Sequence, residues 1–428
     1  MILGENSGNG LPGHYIVSLK DTPNVKELGV RKVAEVAARD LGGKLGDVWA
    51  TGLHGFAVDM PPAAARRLAS DPDVSWVQEQ QMYHIEDDQS PLQNWGLDRI
   101  DQRTRPSDNL LNNHYGYMGS GGSGVHVYSV DTGIRITHPE FEGRASYGIN
   151  TVGGDPANAD DCNGHGTRTA GVVGSKDYGV AKKVSLVAVK VFDCGGTGPD
   201  PQVIAGLQWI ENHAIKPAVV NLSLGPTCKS GGVIVPCLPG TSQGIVTEEQ
   251  NLINAGIPVV TAAGNEGLDA CSNPVGAAPG TITVGGVAPA GYNSGDGSNF
   301  GSCVDIWAPG ESITSVGGVG RNSSGVLDPD PITKTGTSEA APFVTGAVAM
   351  FQGTPQFANA TPAQISAQID ANATLGIITG LPDGQSPNKL LYIPPSLEGS
   401  SVAVAKISSG TLSGALEAFG ADAGGKML

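Results

Sequence analysis

Lys334-Thr335-Gly336-Thr337-Ser338-Glu339-Ala340-Ala341-Pro342 is the stretch on which the reading of this chain turns. It sets a serine between a Gly-Thr turn and the start of a helix, since Ala340, Ala341, Val344, Ala347, Val348 and Met350 suit a helix. Pro342 is expected in the first turn, where a missing N–H is harmless. A serine Oγ at a helix N-terminus lies among free N–H groups and the positive end of the dipole, which favour developing negative charge. Alone, Gly-Thr-Ser is a weak signal, and an N-cap serine is its commoner explanation.

Two further segments decide between these. Val125-His126-Val127-Tyr128-Ser129-Val130-Asp131-Thr132-Gly133 reads as a short buried strand ending in an aspartate and a glycine turn. Asn163-Gly164-His165-Gly166-Thr167, followed by Arg168-Thr169-Ala170-Gly171-Val172-Val173, places a histidine between glycines where a small-residue helix begins. Singly, a strand-end Asp caps a turn and a His between glycines sits in a surface loop. Together, Asp131, His165 and Ser338 supply an orienting acid, a general base and a nucleophile in the order Asp…His…Ser. On these motifs the chain resembles the subtilases, and is most similar to their proteinase K and aqualysin branch.

The resemblance extends to Pro258-Val259-Val260-Thr261-Ala262-Ala263-Gly264-Asn265-Glu266-Gly267, an apolar strand running into a loop. It implies that the Asn265 amide and the Ser338 backbone N–H donate to the oxyanion of a tetrahedral intermediate. It also implies that Gly196-Thr197-Gly198 and Ser223-Leu224-Gly225 pair with an extended substrate backbone. Ala262, Ala263 and Gly264 would line the pocket on the acyl side of the cut bond, a roomy apolar slot for aliphatic or aromatic residues. Asp200 stands where relatives carry an aromatic lid four residues before the cut. Glu339 stands where they carry methionine, and its charge is expected to raise the pKa of His165.

Composition agrees. The chain has 428 residues, is 39% apolar with 63 glycines, and carries a net charge of −16. Many tight loops around a rigid sheet suit that glycine content, and the acidity disfavours nucleic acid or anionic membrane as a partner. There is no apolar run of eighteen, so no membrane span is expected.

Six cysteines allow 15 pairings. The resemblance implies Cys162 with Cys194 and Cys271 with Cys303, leaving Cys228 with Cys237. Disulfides point to an oxidising compartment. Met1–Gly10 shows neither the basic nor the apolar region of a secretory signal, yet secretion is the expectation. Asp98, Asp101, Gln102 and Asp108 match positions that ligate calcium in aqualysin-like enzymes, and hard oxygen ligands suit that ion; the alternative is that they cap turns. A second family calcium site is expected to be absent, because Val287-Ala288-Pro289 replaces its aspartate. No catalytic metal is expected.

The fold class expected is α/β, a subtilisin-like parallel sheet covered by helices on both faces, preceded by a small ferredoxin-like α+β domain. Residues 1–12 read as an extension. Residues 13–86 follow a βαββαβ order, with strands at Tyr15–Leu19, Gly46–Ala50, Gly55–Asp59 and Val74–Val77 and helices at Val25–Leu41 and from Pro61 to Leu68. This resembles the inhibitory propeptide of subtilases, with self-cleavage expected between about His84 and Gln89. Residues 87–393 form the peptidase domain, and 394–428 a low-complexity tail. The function implied is that of a secreted, monomeric zymogen of a serine endopeptidase acting on proteins or peptides. The alternative is a binding or regulatory protein that cleaves itself once and keeps its propeptide docked. An esterase is disfavoured, since Gly-x-Ser-x-Gly is absent around Ser338.

Overall fold

The computed structural model describes residues 2–3, 10–51, 53–81, 87–90, 92–103, 112–226, 228–238, 240–289, 291–292, 297–319 and 329–395. The N-terminal unit comprises β1 (Ile2–Leu3), β2 (Gly10–Leu19), α1 (Pro23–Leu28), α2 (Val30–Asp40), β3 (Lys44–Trp49), β4 (Gly55–Asp59), α3 (Pro62–Leu68) and β5 (Val74–Gln81). Its sheet order is β1-β5-β2-β4-β3, the ferredoxin-like arrangement with one added edge strand. Two features depart from expectation. The single helix over Val25–Leu41 is two, because Gly29 takes φ +80° and its N–H closes α1 on Val25 O. Ile2–Leu3 also pairs with β5, and Ile2 is buried in this unit's core, so part of the expected extension belongs to the sheet.

The second unit opens with β6 (Asp87–Gln89), α4 (Trp95–Ile100), β7 (Tyr115–Tyr117), β8 (His126–Asp131), β9 (Ala145–Asn150), α5 (His165–Gly174), β10 (Ser185–Lys190), α6 (Asp200–His213) and β11 (Ala218–Leu222). A hairpin of β12 (Lys229–Ser230) and β13 (Val233–Ile234) follows, then α7 (Gln243–Asn254), β14 (Val259–Ala262), β15 (Ile282–Ala288), β16 (Gly291–Tyr292) and β17 (Ile306–Pro309). The described part closes with β18 (Ile313–Ser315), β19 (Ile332–Lys334), α8 (Thr337–Gln352), α9 (Pro362–Asn372), β20 (Thr374–Leu375) and β21 (Lys389–Leu390).

The main sheet runs β20-β21-β17-β15-β14-β11-β8-β10-β9, and from β21 to β9 every neighbouring pair is parallel. Its central strands β11 and β14 are buried on both faces, which is why they read as largely apolar. Along β10, Leu186 and Ala188 enter the core beneath α5 and α8, while Val187 and Val189 enter the one beneath α6 and α7. β8 lies between β10 and β11, where the strand order reverses in chain direction. Ligands of open α/β sheets bind outside the carboxyl ends of the strands at such a switch point. Asp131 ends β8 at that place.

Candidate active site

The site assembles from the C-terminal ends of β8, β11 and β14 and the N-termini of α5 and α8. His165 is the first residue of α5, behind an N-cap Gly164 at φ +105°. Its Nδ1 lies 2.8 Å from both Oδ1 and Oδ2 of Asp131. Asp131 is buried and also accepts from Thr132 N at 2.7 Å and Thr169 Oγ1 at 3.3 Å. The histidine needs its neighbour to be glycine, for a Cβ on Gly166 would collide with the Gly133 carbonyl.

A residue absent from the sequence reading holds this loop. Buried Asp161 accepts from Asn163 N, Gly164 N and Thr167 N, each at 2.9 Å, from Thr167 Oγ1 at 2.6 Å, and from Thr132 Oγ1 at 2.9 Å. Its signal was only its place beside Cys162. Burial lowers the His165 pKa, but the charge and hydrogen bond of Asp131 outweigh it. Arg168 lowers it and Glu339 raises it, and the net shift is upward.

Ser338 is the second residue of α8, following Gly336 as N-cap. Its backbone N–H is among the first of the helix, which have no intrahelical acceptor. Its Oγ donates to Ser223 O at 3.2 Å, and Ser223 Oγ returns a bond to Ser338 O at 3.0 Å. A chain from Thr345 through Asn221 to Ser223 supports that contact, with links of 2.8 and 3.0 Å. Pro342 lies inside α8, one turn beyond Ser338, rather than in the first turn as expected. Its missing N–H is what leaves the Ser338 carbonyl for Ser223.

Asn265 Oδ1 accepts from Thr337 N at 2.8 Å and Thr337 Oγ1 at 3.0 Å. The amide is thereby oriented, with Nδ2 left for the cleft. Thr337 Oγ1 also accepts from Gly264 N at 3.2 Å, so the pocket wall and the serine turn are joined.

These groups face a cavity of about 400 Å³. Of the expected substrate residues, Gly196, Ser223, Leu224, Gly225, Ala262 and Gly264 line it. Thr197, Gly198 and Ala263 are not part of this lining. Thr197 N and Oγ1 donate to Asp193 Oδ1 on the exposed loop, at 3.0 and 3.3 Å, while Ala263 is fully buried with its carbonyl taken by Asn273 and Asn299. Glu266, Phe192 and Asn273 line the cavity and were missed. Glu266 adds a carboxylate to the cavity wall, and its Oε2 accepts from Asn299 Nδ2 at 2.9 Å.

Glu339 is buried, and its Oε1 accepts from Arg168 Nε at 2.7 Å. Its charge is therefore paired, and its pull on His165 is opposed by that of Arg168. The sequence reading considered Glu339 without this partner.

All three disulfides are formed: Cys162–Cys194, Cys228–Cys237 and Cys271–Cys303, with Cα separations of 5.0, 5.2 and 5.1 Å. At the expected calcium position, buried Asp98 accepts from Asn113 N at 2.6 Å, and Asp101 Oδ2 from Gly116 N at 2.8 Å. Asp101 Oδ1 is buried with no partner among the described residues, and burial, with help from Asp98, pushes the Asp101 carboxyl up to about 7. Such a pair of carboxylates fits a hard cation. Gln102 is turned to give its amide nitrogen to Asp98 Oδ1 and, at 3.0 Å, to Asn112 Oδ1. Asp108 lies outside the described residues. Among the described residues, no three His, Cys, Asp or Glu side chains converge as a metal site, and no helix is long and apolar enough to cross a membrane.

The profile of the subtilase family (Peptidase S8) matches residues 122–408. The chain is 38% identical over 411 residues to an extracellular serine proteinase of Thermus sp. (strain Rt41A), covering 92% of each protein. It is 37% identical over 346 residues to alkaline serine exoprotease A of Vibrio alginolyticus, covering 79% of this chain and 58% of that one. Among solved structures it is similar to a cold-adapted subtilisin-like serine proteinase, with a TM-score of 0.60 and 35% identity, over 71% of this chain and 98% of the other. The chain belongs to the subtilase family and is a serine-type endopeptidase. Its fold is the subtilisin-like α/β fold.

Proposed function

We propose that the chain is the zymogen of a secreted, broadly specific endopeptidase working through an acyl-enzyme. Residues 13–86 serve as inhibitory propeptide and 87–393 as peptidase domain. The observation that carries this is the constellation itself. His165 is held on Asp131 at 2.8 Å, and Ser338 opens a helix whose first turn is bonded to Asn265. In this reading Ser338 Oγ rotates off the Ser223 carbonyl, gives its proton to His165 Nε2 and attacks the scissile carbonyl. Asn265 Nδ2 and the Ser338 N–H stabilise the oxyanion, and losing one such donor costs about 2.7–4 kcal/mol. His165 then protonates the leaving amine, and water releases the acid by the reverse route.

Asp131 keeps Nδ1 as donor, which leaves Nε2 as the base. The small residues Gly225, Ala262 and Gly264 leave room for aliphatic and aromatic side chains, and Glu266 adds tolerance for basic ones. Asp200, exposed at the start of α6, offers no aromatic lid, so weak aromatic selection is proposed four residues before the cut. Asp98 and Asp101 would hold a structural calcium ion, whose part is to neutralise their buried charge. Secretion is supported by the three disulfides and by the extracellular relative.

The test is casein hydrolysis by the matured fragment with phenylmethylsulfonyl fluoride titration. Turnover abolished by one equivalent supports the peptidase. An inert fragment that retains its propeptide would instead favour the single-turnover alternative.

A further inference from the structure

We propose that Arg168 and Glu339 are positioning residues: their buried ion pair ties the helix bearing the base to the helix bearing the nucleophile. This rests on the assignment of His165 and Ser338 above. His165 is the first residue of α5 and Arg168 lies one turn later; Ser338 is the second residue of α8 and Glu339 follows it. The distance between base and nucleophile is therefore set where the two helices begin. Helix first turns have amides without intrahelical bonds and fray most readily. The Arg168 Nε to Glu339 Oε1 bond, at 2.7 Å, is the one side-chain hydrogen bond joining α5 to α8 among the described residues.

The surroundings favour a fixed geometry over a surface pair. The Arg168 and Glu339 side chains are 12% and 1% exposed. The Arg168 carbonyl accepts from Ser315 Oγ at 2.9 Å, and Glu339 N donates to Gly336 O at 3.0 Å, so both backbones are also anchored. Glu339 Oε2 is buried without a partner among the described residues, which leaves Arg168 as the compensation for the carboxylate. A buried pair of this kind gives little net stability over apolar replacements. What it supplies is a directional link in a region otherwise packed with Ala, Val and Phe.

The pair also has an electrical signature at His165. The charged groups around that ring are Asp131 from β8, Arg168 from its own helix and Glu339 from α8, with Lys190 of β10 reaching the Thr132 carbonyl behind Asp131. Arg168 and Glu339 act on the imidazolium in opposite senses. Removing one exposes the field of the other, whereas removing both restores balance but loses the link.

The experiment uses the full chain, allowed to mature, with Glu339→Met, Arg168→Met, the double Met variant and Glu339→Gln, each read as kcat, KM and the pH profile of kcat/KM. The acid limb is expected to move to lower pH by roughly half a unit in Glu339→Met and to higher pH by a similar amount in Arg168→Met. In the double variant the limb returns to the parent position while kcat falls roughly 10–100-fold at unchanged KM. Glu339→Gln keeps an acceptor for Arg168 Nε, so it shares the lowered limb but retains kcat within about threefold. The double variant and Glu339→Gln also keep the proposal testable if a single charge deletion prevents folding. A double variant with parental kcat, or limbs that coincide in all variants, overturns it. Ser338→Ala is run alongside: activity there defeats the serine assignment itself, separately from any result on the pair.

Discussion

Ser223 Oγ donates at 3.0 Å to the carbonyl of Ser338, the one backbone acceptor in α8 that Pro342 cannot engage. The Ser338 backbone is thus held by the serine that follows β11, where the helix ladder is interrupted. In Ser223→Ala this carbonyl loses its side-chain donor, at a cost of about 1–3 kcal/mol. The expected result is a lowered melting temperature and a fall in kcat larger than any change in KM. An unchanged melting temperature would show that the carbonyl finds another donor.

Asp131 raises the His165 pKa by its charge and its hydrogen bond, against burial, which lowers it. The acid limb of kcat/KM should therefore lie above the ordinary histidine value, because the base is protonated until pH exceeds its raised pKa. Asp131→Asn removes the raising influence, so the limb moves to lower pH while kcat drops by about 10³–10⁴-fold. A limb that stays in place would mean that another group sets it.

Much of this site was legible because glycine and aspartate mark sharp turns: Asp131-Thr132-Gly133, Gly164-His165-Gly166 and Gly336-Thr337-Ser338 all stand at strand or helix ends. The sheet was legible for a different reason. β10, β11 and β14 are buried on both faces and so read as largely apolar, with Asn221 and Thr261 the polar residues inside β11 and β14. Long-range pairings were not legible. Arg168 and Glu339 are 171 residues apart, and nothing local marks either as the other's partner. Gly29 was overlooked because the apolar spacing continues across it from Val25 to Leu41, and only its positive φ separates the two helices. Thr197 was assigned to the substrate edge by position, whereas Asp193 recruits its backbone into a turn.

Glu339 occupies the position beside Ser338 where a methionine would be open to oxidation. A carboxylate cannot form a sulfoxide. Met118 and Met350, which belong to the peptidase core, are buried. Activity should survive peroxide treatment, and Glu339→Met should lose it progressively under the same exposure. Equal loss in both proteins would place the sensitive group elsewhere.

Calcium should raise the melting temperature of the matured protein and a chelator should lower it, since Asp101 Oδ1 is buried with no partner among the described residues. Saturation at about 100 times the dissociation constant would contribute about 2.7 kcal/mol. Asp101→Asn should abolish the calcium response. A melting temperature indifferent to calcium would leave Asp98 and Asp101 as turn caps.

The central claim is that Ser338 is the nucleophile and that the chain matures itself. The most direct measurement is N-terminal sequencing of the purified full-length protein and of Ser338→Ala after identical incubation. The parent is expected to yield a new N-terminus between His84 and Gln89, and Ser338→Ala to remain a single chain. Maturation of pure Ser338→Ala at the same position would contradict the account.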